Sequence, residues 1–120
     1  MNSSFTKRGV FAVALAIATQ CAFAHAMPKQ QSPAPDSTVS APHEVAIDFG
    51  EALEPSFSTL VVTDASGKAV NTAKSKVDAS HRNHMSVSLG DLAPGSYRVK
   101  WTAVANDGHR THGQYNFMVK

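Results

Sequence analysis

Cysteine is almost absent from this 120-residue chain: the single one, Cys21, lies in a stretch that reads as an export leader, so the folded part has no disulfide framework and must rely on packing. There is also no CxxC pair, no glycine-rich phosphate loop and no Ser-His-Asp order. Their absence removes dithiol redox chemistry, nucleotide phosphate binding and triad hydrolysis from the readings. The apolar segment near the start is broken by Gln20 and falls short of the roughly 20 residues a membrane-spanning helix needs. No internal repeat is found.

That segment has the marks of a cleaved signal. Lys7 and Arg8 precede "GVFAVALAIATQCAFA", which ends in Ala22-Phe23-Ala24, the small-x-small pattern accepted by a signal peptidase. Residues 1–24 are therefore expected to be a signal peptide and His25 the mature N-terminus. Gln20 fits poorly as the residue before a lipid-bearing Cys21. Cleavage leaves 96 residues (120 − 24), enough for one small domain. It also removes Lys7 and Arg8, so nine basic residues (11 − 2) face nine acidic ones. With no net positive charge and no basic stripe, nothing suggests a nucleic-acid partner.

Within residues 25–120, "PKQQSPAPDSTVSAP" (28–42) is rich in Pro, Ser and Gln and reads as an extended leader with at most a short strand near Val39. Beyond it, "EVAIDF" (44–49), "HMSVSL" (84–89), "SYRVKWTAV" (96–104) and "QYNFMV" (114–119) alternate polar and apolar residues, and "FSTLVVTD" (57–64) is β-branched. Turn residues at Asp64–Lys68 and Pro94-Gly95 separate these runs. Short strands at regular spacing without a helical period predict an all-β sandwich. Tyr97, directly after a turn, resembles the tyrosine corner of Greek-key sandwiches. Trp101, four residues on and hence on the same face, is expected in the core, as is Met118.

The chemistry then falls to six histidines: His25, His43, His81, His84, His109 and His112. In "NDGHRTHG", Asp107 and His109 stand at i and i+2; on an extended chain they share a face about 7 Å apart. Gly108 between them lets the backbone bend so that carboxylate and imidazole converge. Taken alone, the same residues also read as a polar turn between strands. A mature N-terminal His25 adds an α-amine and a ring nitrogen that chelate in one plane. An amine pKa of about 8 allows copper to displace its proton at neutral pH. Nitrogen-rich tetragonal ligation suits Cu(II). His25, Asp107 and His109 are thus the candidate ligands for one Cu(II) ion.

The chain resembles the CopC-type periplasmic copper-binding proteins, the copper resistance protein C group. "HAMPKQQSPAPDSTV" looks like the family's HA-x-L-x-x-S-x-P-x-x-G-S opening, and "LAPGSYRVKWTAVANDGHRTHGQYNFMV" looks like its PPGxYxVxWxxxSxDGHxxxGxxxFxV ending. The resemblance implies a cupredoxin-like or immunoglobulin-like Greek-key β-barrel that carries copper in the periplasm, with Cu(II) ligands falling on His25, Asp107 and His109. It implies a CopD-like inner-membrane copper transporter as partner. A soluble monomer without catalytic turnover is expected.

The chain departs from members that carry a methionine-rich Cu(I) loop: the corresponding "TDASGKAVNTAKS" contains no methionine. Met27, Met85 and Met118 are scattered singly, so a thioether cage for Cu(I) is not expected. "HRNHM" groups His81, His84 and Met85, which reads either as a weak second site or as a solvated turn. His43 is expected to face outward. His112, of opposite parity to His109, is expected to face away or to support the site. Two rivals remain. One is a lytic polysaccharide monooxygenase, whose copper site also uses an N-terminal histidine, although 96 residues leave little room for its substrate-binding loops. The other is a metal-free structural sandwich.

Overall fold

The computed structural model describes residues 26–120, so the expected signal peptide and His25 lie outside the described residues. Eight strands follow one another: β1 (Pro28–Ser32), β2 (Thr38–Val39), β3 (Glu44–Phe49), β4 (Thr59–Asp64), β5 (Lys76–Val77), β6 (His84–Ser88), β7 (Gly95–Val104) and β8 (Arg110–Val119). They form two four-stranded sheets, ordered β1-β3-β6-β5 and β2-β8-β7-β4. All pairs are antiparallel except β2 with β8. No helix occurs among the described residues.

The alternation read from the sequence sets which side of each strand is buried. In β7, Tyr97, Val99, Trp101 and Ala103 point into the sandwich while Arg98 and Lys100 are exposed. Tyr115, Phe117 and Val119 do the same in β8, and Val45, Ile47 and Phe49 face them from β3. Trp101 meets Phe49 edge-to-face across the two sheets, centroids 5.2 Å apart at 70°. Tyr97 stacks on Phe117 at 5.6 Å. Such pairs add to the area they bury, because ring edges and faces carry opposite partial charges.

The tyrosine corner is present: the Tyr97 hydroxyl donates to the Ala93 carbonyl at 2.6 Å. Two expectations are corrected. The leader is more ordered than its composition suggests, since Pro28–Ser32 pairs as β1 along β3, from Pro28↔Phe49 to Ser32↔Ala46. A Pro-rich segment can occupy a sheet edge because an edge strand leaves alternate N–H groups unneeded. Met118 is 51% exposed, because its neighbours Phe117 and Val119 take the inward positions of β8.

Candidate metal centre

The β7–β8 hairpin ends in a tight loop after the last strand pair, Val104↔Arg110. The Gly108 N–H donates to the Ala105 carbonyl and the Ala105 N–H to the His109 carbonyl, each at 2.9 Å. Gly108 has φ 88°. A turn followed by a left-handed residue is a standard three-residue hairpin connection, and glycine adopts that backbone without a Cβ clash.

This turn, and not an extended strand, brings the Asp107 and His109 side chains together. Asp107 Oδ1 accepts from the His109 backbone N–H at 3.0 Å, and Oδ2 faces His109 Nδ1 at 2.7 Å. The separation is far below the ~7 Å of a flat strand. The His109 backbone N–H, followed by its ring, holds the Asp107 carboxyl below the usual carboxylate range. With Nδ1 turned to a carboxylate, Nε2 is the ring nitrogen suited to a metal, and the carboxylate fixes tautomer and orientation. Each oxygen of Asp107 keeps a second lone pair for direct ligation. Both side chains are about half exposed, 56% for His109 and 53% for Asp107, so an ion can reach them from solvent.

The start of the described chain is held beside this loop. Ala26 is fully buried, and its carbonyl accepts from Thr111 Oγ1 at 2.7 Å. Thr111 is two residues from His109. Gly50 N–H donates to the Met27 carbonyl at 3.0 Å, which secures the next residue. His25 itself lies outside the described residues.

The other histidines separate. His43 is exposed, as expected. His112 is exposed on the solvent side of β8, opposite Thr102. Met85 is completely buried in the core, so it cannot join His81 and His84 in a soft site. Met27 and Met118 are exposed near opposite ends of β1 and β8, and no thioether cage forms among the described residues. Sequence reasoning missed a second carboxylate–imidazole pair, Asp48 Oδ1 with His84 Nδ1 at 2.6 Å. Its members are 36 positions apart; only the β3–β6 register brings them together. No three His, Cys, Asp or Glu side chains among the described residues converge on one point.

Residues 28–120 match the CopC domain. The chain belongs to the CopC family. It is 34% identical over 117 residues to copper resistance protein C of Xanthomonas campestris pv. juglandis, covering 92% of each chain. It is 35% identical over 106 residues to protein YobA of Escherichia coli K12, covering 87% of this chain and 86% of that one. The crystal structure of CopC from Methylosinus trichosporium OB3b superposes with a TM-score of 0.74 at 33% identity, over 80% of this chain and 94% of the other. The fold is therefore the cupredoxin-like sandwich of the family. No helix among the described residues is long and apolar enough to cross a membrane.

Proposed function

We propose that this protein is a periplasmic copper carrier that binds one Cu(II) ion tightly through the α-amine and imidazole of His25, the imidazole of His109 and the carboxylate of Asp107. Residues 1–24 act as the export signal whose removal creates the amine ligand. The protein holds and exchanges the ion and performs no turnover chemistry; a CopD-like inner-membrane transporter is the partner that the family resemblance implies.

The observation that carries this reading is a pair of anchors, one in the β7–β8 loop and one at the start of β8. Asp107 orients His109 through Nδ1 at 2.7 Å, while Thr111 holds the carbonyl of Ala26 at 2.7 Å. Ala26 is bonded directly to His25, so the anchor on Ala26 acts on the residue next to the proposed ligand. Two imidazoles, an amine and a carboxylate form a borderline N/O donor set, which suits Cu(II) above other divalent ions. The names of relatives, copper resistance protein C and copper transport protein CutJ of Bacillus subtilis, agree with copper as cargo.

The test is to express residues 25–120 with one extra residue before His25. An amide nitrogen replaces the amine and the chelate is lost. Cu(II) affinity is expected to fall by orders of magnitude and the EPR spectrum to shift toward fewer nitrogen ligands. An extended protein that binds as tightly with an unchanged spectrum refutes the model.

A further inference from the structure

A second group of metal-type ligands lies on the other sheet. The β3–β6 register sets Asp48 opposite His84. The β5–β6 register runs Lys76↔Ser86 and Val77↔Met85, and it continues past the end of β5, where the Asp78 N–H donates to the His84 carbonyl at 2.9 Å. Directly opposed residues share a face of the sheet. Asp48, His84 and Asp78 therefore form one row, carboxylate, imidazole, carboxylate, across three strands.

His81 belongs to the same group through the loop that joins β5 to β6. That loop is two successive turns: the His81 N–H donates to the Asp78 carbonyl at 3.3 Å and the His84 N–H to the His81 carbonyl at 2.8 Å. The ends of such a turn stand within about 7 Å of each other, so His81 is next to both Asp78 and His84. Ser80 N–H donates to Asp78 Oδ1 at 2.8 Å, which fixes that carboxylate in the loop. Asp48, Asp78, His81 and His84, with Asn83, line one open cleft of about 290 Å³. The Ser80 backbone N–H, with smaller help from His81 and His84, holds the Asp78 carboxyl below the usual carboxylate range.

The Asp48–His84 pair has the same atomic arrangement as Asp107–His109: a carboxylate on Nδ1, at 2.6 Å and 2.7 Å respectively. A carboxylate so placed fixes the tautomer that presents Nε2 to a metal. We infer that this cleft is a second, weaker binding site for a borderline divalent ion such as Cu(II), with His81, His84 and Asp78 as ligands, Asp48 as the positioning residue, and water completing the shell. The exposed loop has to close by side-chain rotation around the ion, since no three of these groups converge beforehand, and this makes the site weaker than one built on a chelating terminus. The inference does not depend on the His25 site.

Both sites stand at the same end of the sandwich. Leu53 ties them together: its N–H donates to the Arg82 carbonyl at 2.8 Å, and it bridges to Ala105. An ion held at the second cleft is thus at the same end of the sandwich as the Asp107–His109 loop.

The test is an NMR titration of the chain starting at His25 with Cu(II) alone, whose paramagnetism broadens nearby resonances. The first equivalent should broaden residues around 105–111, and the second should broaden Asp48 and residues 78–84. His81→Ala and His84→Ala should each weaken the second event by roughly tenfold or more and leave the first unchanged. Asp48→Asn should also weaken it, and should shift the His84 ring ¹⁵N signals of the metal-free protein toward a different tautomer balance. In the chain extended before His25 the second event should persist, which separates failure of this inference from failure of the carrier reading. A second equivalent that broadens His43 or His112 instead, or that survives undiminished in both alanine variants, overturns the proposal.

Discussion

The indole of Trp101 lies directly over Gly113 on the neighbouring strand, so closely that a Cβ at position 113 would stand 2.5 Å from Cζ2 and 2.8 Å from Cε2. Gly113 therefore serves packing: its missing side chain is the space in which the ring lies. The same ring meets Phe49 of the opposite sheet, so the space left at Gly113 on β8 bears on one of the contacts between the two sheets.

Gly113→Ala should push the indole out of this seat and destabilise the fold by about 1–3 kcal/mol, the usual cost of overpacking a filled core. A lowered denaturation midpoint with an unchanged m-value checks this, and the near-UV signal of the single tryptophan should change with it. Stability equal to the parent would mean that the ring moves without cost.

Thr111→Val keeps the volume but removes the hydroxyl that holds the Ala26 carbonyl. The buried carbonyl loses its side-chain donor, and stability should drop by about 1–2 kcal/mol. Cu(II) affinity should fall as well, because residue 25 immediately precedes Ala26; calorimetric titration of the variant against the parent reads this directly. Unchanged affinity would show that the anchor does not position the terminus.

Asp107→Ala should leave the apo fold intact, as its carboxylate is exposed and contributes to the loop only. The His109 backbone N–H and ring hold its folded-state pKa below the usual carboxylate range, so the ionised clip on His109 is fully formed above that range and is lost as pH falls through the lower folded pKa. The His109 amide shift, followed by NMR as pH is lowered, should show an inflection in that acidic region. In Asp107→Ala it should lack this inflection, and Cu(II) binding should be weakened by roughly 10–100-fold.

Tyr97→Phe removes only the hydroxyl that donates to Ala93 and retains the ring stacked on Phe117. A loss of about 1 kcal/mol is expected, measured as a shift in denaturant midpoint. Copper binding should not respond, because the corner lies at the opposite end of β7 from the Asp107 loop.

The sequence by itself determined what depends on neighbours along the chain. Period-2 alternation selected the buried side of β3, β6, β7 and β8, since successive side chains on a strand must face opposite ways. The Tyr97 corner and the Asp107–His109 pair were legible for the same reason: their partners lie within four residues. The bend at Gly108 was visible as a glycine, although the spacing on a straight strand overstated the distance between the two side chains. The tertiary structure decided what depends on register. "PKQQS" carries little β-propensity and is a strand only because the edge of β3 offers it hydrogen bonds. Met85, next to two histidines in sequence, is removed from them because His84 faces the outside of the sheet and the following residue must face the core. Asp48 and Asp78 reach His84 only through two strand pairings. A one-residue slip in either pairing would send the carboxylate to the other face, and no local pattern in the chain fixes that register. It is set by the fit of Val45, Ile47, Met85 and Val87 into a shared core.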